Sequence, residues 1–579
     1  MKQLYRMIRW TLVVLLALAG MRAQAQAPGW ADAMQVVSPG TPGGFSMIDA
    51  MTTDASGNIV LAGVYYGTVK FGSVEHTSAE RYTVFVTKWN IVTKEFDWVA
   101  EAPTMMSHHA VGLVRNGNSY YLLGVILNAS GFNSTSFGTT ELTPHGYLAH
   151  YVTRLTDTGS TQQFDWAMLM TDENWIMDYG ICVSGGHTYL TGEFSESELQ
   201  LDNLALPSAG GYPTRFIARL NDPGMAGGVV WAKSLGRATT SRGAEMGIVG
   251  NGPNLYLTGT FKGTTTIGTT VLRAGPAEAV YVAKVVDDGT TGRVAWARQF
   301  GCKPGTDYST LAVQDSTIYL ASTAGTDAIA FDNLILPAGD SGRAYVARLT
   351  DRGTCDWVQA TTGPGDAFVL RLAKGAQVYL AGTINFFAPG NVQFGATTLM
   401  GNPAPVRRGD AFIARLTDNG NYATFDWAQT VGGTEFDIVQ GLTWAGSELY
   451  MLGVFESPSI DFGTPPLGSI SPTDSPFLVR IPDAGATTTL VTRPGAAPLI
   501  YPNPAHTTAL VQLPAHATLG TPATLTVLDA LGRPVRTETL RLATYATAHP
   551  LDLTGLAPGL YLVRLAANGR TATQRLVVE

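Results

Sequence analysis

Apolar and polar positions alternate along almost the whole chain, in short runs separated by Gly-, Asp- and Asn-rich turns. A period of two places successive side chains on opposite faces of a strand, and no stretch after residue 25 keeps the 3.6-residue period of a helix. Seven copies of one phrase punctuate the pattern: Gly29-Trp30-Ala31, Phe96-Asp97-Trp98, Phe164-Asp165-Trp166, Val229-Val230-Trp231, Val294-Ala295-Trp296, Cys355-Asp356-Trp357 and Phe425-Asp426-Trp427. Successive Trp residues lie 61 to 70 positions apart, so one supersecondary unit recurs.

The first full unit reads as a strand over 47–53, a turn at Asp54-Ala55-Ser56-Gly57-Asn58, a second strand over 59–65, a ribbon at Val69-Lys70-Phe71-Gly72, a third strand over 84–89 and the Trp98 strand as the fourth. The second strands carry Gly at one place (Gly63, Gly124, Gly192, Gly259, Gly382, Gly453), as expected where backbone or a large ring approaches closely. The third strands carry Lys88, Arg154, Arg219, Lys284, Arg348, Arg415 and Arg480, and four fourth strands offer Asp97, Asp165, Asp356 and Asp426 as partners on a solvated face.

Four strands of period two, repeated radially, make propeller blades. The last repeat lacks its Trp strand, and the N-terminal Trp30 strand lacks a blade, so joining them completes the set and removes an exposed edge. The expected fold is therefore all-β: a seven-bladed β-propeller over 26–482 closed by the N-terminal strand, an Ala/Gly/Thr/Pro-rich linker over 483–498, and a small Ig-like β-sandwich over 499–579. The phrase from Asp54 to Gly63 resembles the Asp-x-x-Gly-Asn turn and Gly-ended strand of bacterial secreted β-propeller repeat proteins. That resemblance covers architecture over 30–482 and transfers no binding residues.

The C-terminal stretch has Tyr501-Pro502-Asn503-Pro504 at its start, then Gly559-Leu560-Tyr561 and an apolar end at Leu576-Val577-Val578. In that order it resembles the C-terminal sorting domain of the type IX secretion system of Bacteroidetes-type bacteria. The resemblance implies that the type IX machinery is a partner and that the chain crosses the outer membrane. It further implies removal of this domain, with the remainder released or attached at the cell surface.

Composition agrees with export. Charged residues make up 14% and hydrophobic residues 45%, with 65 Gly, a balance of β-rich extracellular proteins. A net charge of −8 without a Lys/Arg cluster speaks against nucleic acid and anionic membrane as partners. Residues 1–25 read as a signal peptide: basic Lys2, Arg6 and Arg9, an apolar run from Trp10 to Gly20, and cleavage near Ala25 after Ala23-Gln24. The run is too short to span a bilayer, and the mature chain has no other transmembrane candidate. Cys182, Cys302 and Cys355 lack the spacing of a metal or redox site, and their odd number leaves at least one free thiol. Buried filler and a Cys302–Cys355 bridge are both open.

The segment entering each first strand carries a polar residue: Asp49, His109, Asp178, Glu245, Asp307, Asp366 and Asp437. Six acids around one mouth could hold Ca²⁺ or contact a cationic or hydroxyl-rich ligand; alternatively, each caps a turn through backbone N–H groups. Trp175, beside Asp172 and Glu173 in a loop without counterpart, has the chemistry to stack on a sugar ring. His108-His109 lacks a third metal ligand at diagnostic spacing. No cofactor is specified, and no serine-nucleophile elbow, zinc helix or phosphate loop occurs. The reading is an exported, non-enzymatic propeller that binds a glycan or protein; the alternative is an extracellular polysaccharide hydrolase or lyase using carboxylates from distant blades.

Overall fold

The computed structural model describes residues 27–36, 38–39, 45–78, 82–104, 107–127, 134–144, 146, 148–159, 161–171, 179–195, 197–201, 204–208, 213–221, 227–237, 247–301, 309–400, 409–463, 466–469, 475–482, 499–501, 505–512, 522–529, 533–541, 548–567 and 570–578. Among the described residues every regular element is a β-strand. The chain divides into two compact units, Met1–Gly485 and Ala486–Glu579.

The first unit repeats one antiparallel pattern. Phe45–Thr53, Ile59–Tyr66, Tyr82–Asn90 and Glu95–Thr104 lie side by side in chain order. Five further sheets begin at Ser107–Asn116, Tyr179–Ser184, Gly247–Asn251, Ser309–Gln314 and Ala367–Lys374. The seventh joins Asp437–Ala445, Glu448–Phe455 and Ser475–Ile481 to the N-terminal strand Ala31–Gln35. There Met34 stands opposite Leu478 and Gln35 opposite Phe477. Each first strand packs against the first strand of the next sheet, and Asp437–Ala445 packs in turn against Phe45–Thr53.

Second-strand glycines mark places where a Cβ has no room. In four sheets the first strand bulges there, with Asp49, Val111, Leu370 and Gln440 as the extra residues beside the Gly63, Gly124, Gly382 and Gly453 pairings. A Cβ at Gly382 would lie 1.8 Å from the Phe368 carbonyl oxygen, and one at Gly63 2.0 Å from that of Met47. At Gly124 and Gly192 it would strike the rings of Tyr151 and Tyr179 at 2.4 Å. Gly382→Ala is expected to cost roughly 3 kcal/mol, since a packed backbone cannot yield cheaply. A thermal melt checks this, and an unshifted midpoint would mean that the bulge relaxes.

The recurring Trp belongs to the junction between sheets. The rings of Trp166, Trp231 and Trp296 cover Gly227, Gly292 and Gly353 of the following sheet, 2.8–2.9 Å from where a Cβ would stand. The indole N–H of Trp98 donates to Asp157 at 3.2 Å, that of Trp231 to Asp287 at 3.2 Å and that of Trp357 to Asp418 at 3.0 Å. Each of these carboxylates ends the third strand of the next sheet. They also accept from the third-strand cations: Lys88 to Asp157 at 2.7 Å and Arg219 to Asp287 at 3.1 Å, with Arg348 3.5 Å from Asp418. Lys284 reaches Asp351 at 2.6 Å. Tyr189 and Tyr319 hydroxyls complete the set on Asp287 and Asp418, both at 2.7 Å.

This arrangement corrects the solvated face expected for Arg154, Lys284 and Arg415, which are buried, while Lys88, Arg219, Arg348 and Arg480 stay partly exposed. Arg154 and Arg415 do pair within their own sheets, with Asp165 at 2.7 Å and Asp426 at 2.9 Å. Lys88 instead favours the neighbouring sheet, Asp97 standing farther off at 4.0 Å, and Arg348 lies between Asp356 of its own sheet at 3.6 Å and Asp418 of the next at 3.5 Å. A guanidinium or ammonium shut off from water needs a carboxylate, which the following sheet supplies to Lys88, Arg219 and Lys284 and the sheet's own fourth strand supplies to Arg154 and Arg415.

In the second unit, Leu499–Tyr501, Thr508–Gln512 and Ala548–Asp552 form one sheet, and Pro534–Arg541, Pro522–Leu528, Gly559–Ala567 and Arg570–Val578 another. Val511, Leu525, Val527, Leu551, Val563 and Leu576 are among its core. Cys182 and Cys355 are free and buried. The Cys355 thiol donates to the Trp357 carbonyl at 3.3 Å; Cys302, the partner of the expected bridge, lies outside the described residues.

Candidate functional site

The seven first strands line one cavity of about 240 Å³. Asp49, Ser309, Thr310, Arg371 and Gln440 give it polar groups among Ala, Val, Leu and Gly. Arg371 donates to the Gln440 and Leu370 carbonyls at 2.6 and 2.9 Å, which holds its guanidinium along the wall. The space is below the ~300–1,000 Å³ of small-molecule sites, so it admits water or ions but not a polymer.

The described acids stand at different depths along their strands. Ile48 lies opposite Gly63 and Asp49 follows it. Val369 and Val439 lie opposite Gly382 and Gly453, whereas Asp366 and Asp437 come earlier, at the strand entrances. Asp49 approaches His109 at 3.9 Å. The His109 imidazole lies 3.2 Å from the Met47 sulfur, and burial holds its pKa below the ordinary value. Asp178, Glu245, Asp307, Trp175 and its neighbours Asp172 and Glu173 lie outside the described residues, as does the side chain of His108. Among the described residues no three His, Cys, Asp or Glu side chains gather as a metal site.

Asp366 and Asp437 are fully buried and point their hydrogen bonds at loops. One Asp366 oxygen accepts the backbone N–H groups of Phe387 and Ala388, each at 2.9 Å. Its backbone carbonyl takes the Asn385 N–H at 2.9 Å, and the Asn385 side chain accepts from Gly390 at 3.1 Å. Asn385 adopts φ 59°, the left-handed region that Asn tolerates, so the loop over 385–390 turns sharply and is tied at both ends. Asp437 accepts from Gly433 N–H at 2.8 Å and Ser457 hydroxyl at 3.0 Å, which fixes the turn before Phe436. Burial raises the Asp437 carboxyl to about 6, assisted by the negative charge of Asp410 and opposed by those hydrogen bonds.

These two loops bring four phenylalanines together. Phe386 and Phe387 have ring centroids 4.5 Å apart, Phe387 and Phe368 5.4 Å, and Phe386 and Phe436 5.3 Å. Phe387 is 47% exposed. Glu435 and Glu456 flank Phe436, and the Glu456 N–H donates to the Phe436 carbonyl at 3.0 Å. Burial, with the charge of Glu435 added, raises the Glu456 pKa. Sequence reasoning passed over this cluster, although the adjacent Phe386-Phe387 pair outside any alternating strand was a signal for it.

In the second unit, Tyr561 is buried and its hydroxyl donates to the Ala557 carbonyl at 2.9 Å, two residues before the strand that opens at Gly559. Tyr501 sits in the strand Leu499–Tyr501, while Pro502, Asn503 and Pro504 lie outside the described residues, as do residues 1–25 with Ala25. Residues 499–579 match the secretion system C-terminal sorting domain family. The match supports export through the type IX secretion system to the cell surface or the extracellular space. No helix among the described residues is long and apolar enough to cross a membrane.

No curated protein matches the chain. Among solved structures it is similar to the extracellular region of plexin A4, domains 1 to 8, with 8% identity, 92% of each chain covered and a TM-score of 0.22. It is also similar to a family 32 glycoside hydrolase from Bifidobacterium adolescentis, with 10% identity, 94% of this chain and 95% of that chain covered, and a TM-score of 0.22. Likeness at that score carries no weight for fold or activity.

Proposed function

We propose that the first unit is a seven-bladed β-propeller closed by the N-terminal strand, that the second is an Ig-like sorting sandwich, and that the exported protein is a non-enzymatic binder of an extracellular ligand. The cyclic packing of the first strands supports the propeller reading. The observation that carries the binding reading is the half-exposed aromatic cluster at Phe387, held out by two buried carboxylates and not folded into the core. Apolar groups gathered at one place on a surface mark interaction sites more often than singly scattered ones do. A signal peptide over 1–25 and a linker over 483–498 complete the proposed organisation.

The test is a thermal-shift screen of the purified protein against polysaccharides, extracellular proteins and Ca²⁺ with and without chelator, because a ligand selective for the folded state raises its melting point. A shift with a saccharide or protein is expected; no shift with any of them would overturn the binding reading. One observation favours a second reading, polysaccharide hydrolysis: the raised pKa of Glu456 beside Glu435 suits a general acid. New reducing ends during incubation would select it.

A further inference from the structure

We propose that Phe387, with Phe386 and Phe436 behind it, is a stacking platform for a saccharide ring without acidic groups, and that Glu435 and Glu456 accept hydrogen bonds from its hydroxyls. The inference rests on the binding reading and names the ligand class for that site. A sugar presents a face of C–H bonds with hydroxyls around its edge, so it is matched by an exposed aromatic face bordered by acceptors. Phe387 supplies the face, and its edge-on packing against Phe368 at 68° and Phe386 at 80° sets the direction of its ring. The backbone N–H groups of Phe387 and Ala388 are fixed on Asp366, so little ordering remains to be done on binding. Glu435 and Glu456 are both half-buried beside Phe436. The charge of Glu435 is close enough to Glu456 to be felt there, and Phe436 between them packs on Phe386 at 5.3 Å, so the neighbourhood of the platform is negative; that disfavours uronates and sulfated sugars and leaves neutral hydroxyls as the fitting donors.

Isothermal titration with cellohexaose, laminarihexaose, mannohexaose and, as the acidic counterpart, hexagalacturonate tests this. At least one neutral hexasaccharide is expected to bind, and hexagalacturonate is not. Phe387→Ala should weaken that binding about 10-fold while Phe387→Trp retains it; the Ala variant gives up the packing on Phe368 and Phe386 and should melt somewhat lower, so its binding is read at a temperature where both variants are fully folded. Glu435→Gln should lose less, since an amide still accepts a hydrogen bond. A neutral saccharide that binds Phe387→Ala as tightly as the unaltered protein overturns the platform and leaves the binding reading standing. Preference for hexagalacturonate, or binding of no hexasaccharide, overturns the ligand class; a protein hit in the thermal-shift screen would then preserve the wider reading.

Discussion

A chain beginning at residue 37 is expected to melt far below the full protein. Residues 27–36 supply the fourth strand of the seventh sheet, with Ala31 opposite Arg480 and Met34 opposite Leu478. Trp30 packs edge-on to Phe462 at 5.6 Å, and Val36 is 1% exposed. Asp32 accepts from Arg480 at 2.7 Å and from Lys94 of the first sheet at 3.0 Å, so one carboxylate ties the last sheet to the first. Removing these contacts exposes Trp30, Met34 and Val36 partners worth on the order of 5 kcal/mol in apolar burial. It also uncovers the edge of Ser475–Ile481, a template for pairing with another copy. Calorimetry should show the fall in melting temperature, size-exclusion should show association, and a peptide of residues 27–36 added in trans should reverse both by mass action. An unchanged melt would sink the closure.

What could be read in the sequence was what repeats. The all-β class followed from period-two alternation, and the position of the second-strand glycines pointed to crowding that the Gly63 and Gly382 environments display. Side-chain partnerships across sheets were harder to read. The Arg-Leu-Thr-Asp phrase at Arg154 to Asp157, Arg348 to Asp351 and Arg415 to Asp418 was visible as a repeat. That its Asp would serve the Trp, Tyr and cation of the preceding sheet depends on how sheets stack, which no local pattern records. The acids at the strand entrances were legible as positions but not as roles. Whether Asp366 faces a ligand or a loop is decided by the Phe387 and Ala388 N–H groups, which arrive from 21 and 22 residues downstream. Phe387 escaped notice because a single pair of aromatics has no period.

Asp287→Ala is expected to remove about 2–4 kcal/mol, the cost of leaving a half-buried cation and two buried donors without their acceptor. Asp287 is the common acceptor of the Tyr189 hydroxyl at 2.7 Å, the Arg219 guanidinium at 3.1 Å, the Trp231 indole at 3.2 Å and its own turn's Gly289 N–H at 2.8 Å. Its side chain is 5% exposed and that of Arg219 16%, so solvent cannot replace the lost charge cheaply. Asp340→Ala, on an exposed carboxylate of the fifth sheet's ribbon side, is the control and should stay within about 0.5 kcal/mol. Asp287 also predicts acid sensitivity. Burial works against its charge, but the hydrogen bonds from Tyr189 and Gly289 and the charge of Arg219 outweigh it and hold its pKa below the ordinary carboxylate value. Asp157, Asp351 and Asp418 are lowered in the same way, by Lys88, Lys284 and Tyr319 respectively among their donors. A group with a depressed folded pKa contributes its stability in full above the unfolded value and loses it as pH falls toward the folded one. The melting point should therefore hold at neutral pH and drop steeply below about pH 4, and Asp287→Asn, which keeps the shape but not the charge, should start lower and fall less steeply over that window. Parallel melts of the two proteins from pH 7 to pH 2 read the difference, and identical slopes would show that the inter-sheet carboxylate carries no charge-dependent share of the stability.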